Sequence, residues 1–171
     1  MGFNIIMDMS LSPSFLEMLP QFIIMFFVED LFFFTAHIIC HTSALYVYHK
    51  VHHEYATSVS IAGLHFHVLE FIITQSLSTL VNVRVASLYG PFHLLLLVYW
   101  VVWRLWDAYN AHCGYCFSWS PLQLLPFCTN DEYHDYHHSH NRGNYASHFR
   151  YLDWLVGSNT TYRIYKKKKL S

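Results

Sequence analysis

Eight histidines stand in three tight clusters: His37-Ile-Ile-Cys-His41, His49-Lys-Val-His52-His53 and His134-Asp-Tyr-His137-His138. The spacings are H-x-x-x-H once and H-x-x-H-H twice. Residues three and four apart share one face of a helix, so each cluster sets two or three imidazoles on one wall. Histidines at i and i+4 are the arrangement with which helices grip a metal. One octahedral ion uses about six ligands, so eight clustered imidazoles predict two metal sites. All-nitrogen ligation suits iron, zinc, copper or nickel rather than magnesium or calcium. The fold must therefore bring three separated segments to one place.

The sequence around these clusters is apolar. Charged residues make up 12% of the chain and hydrophobic ones 54%, against about 25% charged in an average soluble domain. Disorder is excluded. The net charge is -1, and the one basic run, Lys166 to Lys169, has no interleaved aromatic platform, which argues against nucleic acid. That run reads as a cytosolic flank of membrane segments. Lys168 and Lys169 also resemble a di-lysine retrieval signal of the endoplasmic reticulum. Cys40, Cys113, Cys116 and Cys128 are too scattered for a disulfide scaffold; Cys113-Gly-Tyr-Cys116 admits a redox pair or half a zinc site. Met1 to Ser14 has no basic n-region, so no secretory signal is expected.

Three apolar segments organise the chain. The first covers 14–41 and carries Glu29 and Asp30 within it, and such carboxylates usually have partners. Asp30 lies two helical turns from His37, which suggests a carboxylate supporting the imidazoles. The second and third, about Ile61–Val83 and Phe92–Trp106, flank the turn signal Gly90-Pro91 and predict a membrane hairpin over 61–106. The 19 residues between Arg84 and Arg104 contain no Lys, Arg, Asp or Glu, close to the length of about 20 that spans a bilayer. A buried helical hairpin in a soluble protein is the alternative. The expected fold is all-α and a single domain over 1–171. One N-terminal span and the hairpin would carry a cytosolic histidine-rich cap at 112–158. Glu70 and Asp135 join Asp30 as carboxylates placed to orient imidazoles, with an ordinary solvated or capping role as the alternative for Asp135.

The order and spacing of the histidine boxes resemble the fatty acid hydroxylase/sterol desaturase superfamily, within it the sterol C4-methyl oxidases. The resembling stretches are Glu29-Asp30, His49 to Tyr55, His67-Val-Leu-Glu70, His112-Cys-Gly-Tyr115, Pro126-Phe127, His134 to His138, Gly143-Asn-Tyr-Ala-Ser147 and Asp153-Trp154. The Gly143 to Ser147 run selects the C4-methyl oxidases. The resemblance implies a non-haem di-iron mono-oxygenase of the endoplasmic reticulum. It would use O2 and electrons from NAD(P)H through a reductase and cytochrome b5 to oxidise a sterol 4-methyl group. The implied ligands are His37, His41, His49, His52, His53, His134, His137 and His138, with His67 and His112 completing the set and His65 a weaker candidate. His93 and His148 are left to packing. The sequence departs from the pattern in several places. It lacks the family's further N-terminal helices, Val68 stands for a proline, Asn110 and Cys116 stand for aspartates, and the gap from His41 to His49 is one residue shorter. Two other readings stay open. One is the same chemistry on a fatty acyl chain, sphingoid base or other sterol carbon. The other is a non-catalytic homologue, holding zinc or no metal, within a larger membrane assembly.

Overall fold

A computed structural model describes residues 5–57, 59–117, 119–120 and 125–171, leaving aside the side chain of Leu170. The cap region 112–158 is thus described apart from residue 118 and residues 121–124.

Helix α1 (Phe15–Cys40) opens on a capping box. Ser14 Oγ accepts from the Glu17 amide, and Glu17 Oε2 accepts from the Ser14 amide at 2.8 Å. Its 26 residues reach about 39 Å at 1.5 Å per residue. His41 ends it, and a short helix α2 (Tyr46–His49) and a 3-10 turn (His52–Glu54) follow directly.

The expected second helix begins later than the hydropathy suggests. Residues 60–64 form a 3-10 turn, and Gly63 in it lies so close to the backbone at Ala108 that an added Cβ would sit 2.7 Å from the Ala108 carbonyl. The rod starts at Val68 and runs through α3 (Val68–Phe71), a π-helical segment (Ile72–Leu77) and α4 (Ser78–Ala86). The π turn carries Thr74 and Gln75 on the wall of an internal cavity; such bulges gather at functional sites.

After the Gly90-Pro91 turn, strand β2 (Phe92–His93) pairs in parallel with β1 (Ile5–Ile6). Helix α5 (Leu94–Ala111) then returns, capped by His93 Nδ1 accepting from the Leu95 amide at 3.0 Å. Helices α6 (Asp131–His140), α7 (Tyr151–Val156) and α8 (Thr160–Leu170) complete the cap.

Met18 and Met25 of α1, Val83 and Ala86 of α4, and Leu96 and Trp100 of α5 form the apolar core. Two helical rods, Phe15–Cys40 and Val68–Ala86, are long and apolar enough to cross a membrane. Only 33% and 28% of their apolar windows are buried. The core helix of a soluble protein is mostly covered, so this low burial favours the membrane reading. Ile23, Phe27 and Leu31 make one exposed stripe on α1, which water would not tolerate as a continuous patch. The hairpin's second leg, α5, is not among the helices that meet this test, and its Arg104 and Asp107 line the cavity near its C-terminal end.

A polar knot ties the three long helices. Glu29 of α1, fully buried, meets Arg104 of α5 at 3.0 Å and accepts from Ser78 Oγ and, at 2.6 Å, from Asn82 Nδ2, both on α4. The carboxylate that interrupts the apolar run is thus where the bundle is joined.

Candidate metal centre

The three histidine boxes converge at the end of the bundle and sort into two groups. His37, His41, His49, His53 and His137 form the first; His52, His112, His134 and His138 form the second. The sorting follows helical geometry. In the second box the i, i+4 pair His49/His53 enters the first group while His52 turns to the other. In the third box His134/His138 enter the second group and His137 crosses over. Each H-x-x-H-H box therefore serves both groups, which lie side by side with the His53 and His138 rings 4.6 Å apart.

The ring protons show which nitrogens are free to bind. Nδ1 of His37, His52, His112, His137 and His138 each faces a backbone carbonyl: Tyr145 at 2.9 Å, His65 at 3.2 Å, Ala108 at 2.8 Å, Gly143 at 2.6 Å and Tyr55 at 3.1 Å. His49 Nδ1 faces Glu70 Oε1 at 2.8 Å. A carbonyl only accepts, so Nδ1 carries the proton and Nε2 of the neutral ring is a bare lone pair. The Nε2 atoms of these rings and of His41, His53 and His134 point at one another. In the first group His41–His49, His49–His53, His53–His137 and His137–His41 close a ring of Nε2 atoms with edges of 3.0, 3.0, 3.1 and 3.2 Å. In the second, His134, His112 and His138 form a triangle of 2.9, 3.2 and 3.1 Å. His112 and His138 both have Nδ1 committed, so their 3.2 Å contact joins two lone pairs and is no hydrogen bond. A cation would turn that contact from repulsive to favourable, and the residues fit one.

Protons do not supply that cation. Burial, followed by the neighbouring imidazoles, pulls the His41 pKa down to about 4, His138 to about 3 and His53 to about 2. His49, His52, His134 and His137 are lowered further by the same causes. The rings stay neutral, the form that ligates metal.

The five-residue run Gly143 to Ser147 explains itself here. Gly143, at φ +71°, packs so tightly on the Ser158 carbonyl that a Cβ has no room. Its carbonyl and that of Tyr145 fix His137 and His37. Asn144, also left-handed at φ 55°, donates to the Tyr133 carbonyl at 2.9 Å. Asp153 holds the run from behind, accepting from the Tyr145 and Ala146 amides at 2.9 and 2.8 Å and from Tyr133 Oη at 2.8 Å.

Several expected residues take other places. His67 joins neither group: its Nδ1 caps α3 by accepting from the Leu69 amide at 3.1 Å, and its ring packs on Tyr48. His65 pairs with Glu54 at 2.9 Å. Asp30 supports no imidazole; its Oδ1 accepts from the His148 and Phe149 amides at 3.0 and 3.1 Å and so docks the cap loop on α1. Asp135 is half-buried on α6. Cys113 and Cys116 are free thiols outside both groups. Glu70 lies against the first group, at 2.8 Å from His49 Nδ1. Glu70→Gln keeps an acceptor for His49 but loses the charge. It is expected to weaken metal binding about 10- to 100-fold, measured by chelator competition.

The sequence reading missed the wall of the neighbouring cavity. Phe33, Phe66, Gln75, Arg104 and Asp107 line it together with His37, His49, His52, His112 and His134. Arg104 donates to Gln75 Oε1 at 3.1 Å and lies over the Phe33 ring. Asp107 Oδ2 meets His148 Nδ1 at 3.2 Å. A lone arginine in an apolar helix was the available signal. Gly63, Phe66, Gln75, Arg104 and Ala108 also line a second, mostly apolar groove of about 480 Å³ between the π turn and α5. The groove and the histidine-lined cavity are thus neighbours across one shared wall.

The pattern of the fatty acid hydroxylase family matches residues 22–158, which takes in all nine converging histidines. The chain belongs to the fatty acid hydroxylase family. Among its relatives, a very-long-chain aldehyde decarbonylase, GL1-11, of Oryza sativa subsp. indica is 39% identical over 155 residues, 88% of this chain and 56% of that protein. Methylsterol monooxygenase 2-2 of Arabidopsis thaliana is 39% identical over 161 residues, 92% of this chain and 59% of that protein. Methylsterol monooxygenase 1-1 of the same plant is 34% identical over 159 residues, 91% and 52%. The chain thus spans little more than half the length of these relatives. No solved structure matches it significantly. The histidine groups that the family's pattern takes in are suited to metal.

Proposed function

We propose that this fatty acid hydroxylase family member is a di-iron mono-oxygenase that oxidises the 4-methyl group of sterol precursors. The observation that carries the reading is the convergence of two neutral imidazole groups on a cavity beside an apolar groove. The first group offers five imidazoles where a structural tetrahedral zinc site takes four, which supports iron there.

The first group would hold one ion and the second group the other. When bound, a redox metal pair supplies the O2 activation that attack on an unactivated C–H bond requires. The chain's own residues do the rest. Glu70 and the five carbonyls lock six of the nine rings so that Nε2 faces inward. The groove admits an apolar lipid from the side, and Phe33 and Phe66 keep the cavity walls dry. Arg104 and Gln75, on both walls, offer the lipid's polar end a hydrogen-bonding partner. Asp107 Oδ2 and His148 Nδ1 can share a proton at the cavity wall.

In this reading the whole chain works as one unit in the endoplasmic-reticulum membrane. Its cap and C-terminus face the cytosol, where cytochrome b5 and its NAD(P)H-dependent reductase would deliver electrons. Lys169, one of the two lysines of the retrieval pattern, is held by Glu132 at 3.2 Å.

Sterol profiling of cells deprived of the protein tests the reading. Accumulation of 4-methylsterols is the expected result. Unchanged 4-methylsterols with altered aldehyde or fatty acyl lipids would move the same centre to another substrate.

A further inference from the structure

We propose that a hollow between α6, α7 and α8, away from the histidines, binds the phosphate of an anionic phospholipid. The hollow measures about 280 Å³, and Arg150, Arg163, Phe127, Trp154 and Tyr162 line it. Two guanidinium groups facing one hollow repel each other unless an anion joins them. Among the described residues neither arginine makes an ion pair, and the nearby carboxylates are taken. Asp153 accepts from Tyr133, Ser158 and two amides. Glu132 is clasped by Lys166 at 2.6 Å and Lys169 at 3.2 Å.

The position of the hollow points to a lipid. The loop leading into α7 docks on the middle of α1: the Phe149 ring stacks on Phe27 at 5.9 Å, and its amide bonds Asp30. Asp30 lies eleven residues before His41, about 16 Å along the helix. Helix α7 therefore runs beside the apolar bundle rather than above it. Trp154, Leu155 and Val156 on it are 58%, 65% and 61% exposed, and Phe127 beside Arg150 is 61% exposed. An apolar rim around two cations matches the boundary between acyl chains and headgroups. A diffusing phosphate would need the cations but not the rim.

The test uses the full chain in nanodiscs of phosphatidylcholine, with and without phosphatidic acid, and in parallel with inorganic phosphate. Lipid retained by the protein is counted by native mass spectrometry, and the unfolding midpoint is followed. Phosphatidic acid should be retained and raise the midpoint. A basic residue at a membrane surface contributes about 1 kcal/mol, so Arg150→Gln with Arg163→Gln should weaken retention about 30-fold. Metal content should not change. Arg163→Gln alone, on an exposed helix face, should weaken it about 5-fold, and Arg163→Lys should largely restore it. Equal retention by the wild type and these variants would overturn the proposal. So would an equal midpoint shift with inorganic phosphate, which would make this a free-anion site.

Discussion

Anaerobic loading of the purified chain with ferrous iron is expected to give two ions per chain by elemental analysis. His52→Ala and His53→Ala should each leave one. The two residues are neighbours in sequence, yet His52 belongs to the group with His112, His134 and His138, and His53 to the group with His37, His41, His49 and His137. Pairing variants makes the prediction sharper. His53→Ala with His137→Ala removes two ligands of one group, so the double variant should still bind one ion. His53→Ala with His138→Ala strikes both groups and should bind none. A shared single site would make both doubles equivalent, and that result would sink the two-site reading. Activity should vanish in every one of these variants, because O2 activation by a metal pair requires both ions. The tautomers give the experiment its physical basis. Removing one ring leaves the remaining lone pairs facing each other, since Glu70 and the carbonyls still hold the other Nδ1 protons in place.

The converging histidines were legible because their signal is periodic. Spacings of three and four on a helix put imidazoles on one wall whatever the rest of the chain does, so the three boxes announced themselves. The division between the groups was not legible, because it depends on how α1, α2 and α6 cross. His67 misled for a local reason. A histidine just ahead of a helix satisfies the first free amides through Nδ1, and that capping role removes it from the centre. Asp30 misled differently. Two turns from His37 puts a carboxylate on the right helical face, but the closest unsatisfied donors were two amides of a loop more than a hundred residues away. The supports for the imidazole rings escaped the reading because five of the six are backbone carbonyls. Only the Gly143 to Ser147 run carries a trace of them, since its glycine and left-handed asparagine are what the backbone needs to aim two carbonyls inward.

Arg104→Met is expected to destabilise the protein by about 3–5 kcal/mol, the usual cost of stranding one partner of a buried ion pair. Glu29 is fully buried and the Arg104 side chain is 13% exposed, so solvent screens the pair little. Without the guanidinium, the Glu29 carboxylate keeps its bonds from Ser78 and Asn82 but loses its counter-charge. Glu29→Met alone should cost a similar amount, because the arginine is then stranded among α1, α4 and α5. The double variant should recover most of the loss, since a packed apolar pair of similar volume is often as stable as a buried ion pair. Thermal unfolding in one fixed detergent measures all four proteins, and additive losses in the double variant would show that the two residues do not act as a pair. Function should part company with stability here. Arg104 also lines both the histidine-lined cavity and the apolar groove, so the double variant should bind metal normally and still turn over its lipid poorly. A bundle needing only cohesion could use methionines at these positions. A charge in the middle of three apolar helices makes sense when one end of the substrate must be met by a polar group before the other reaches the metal.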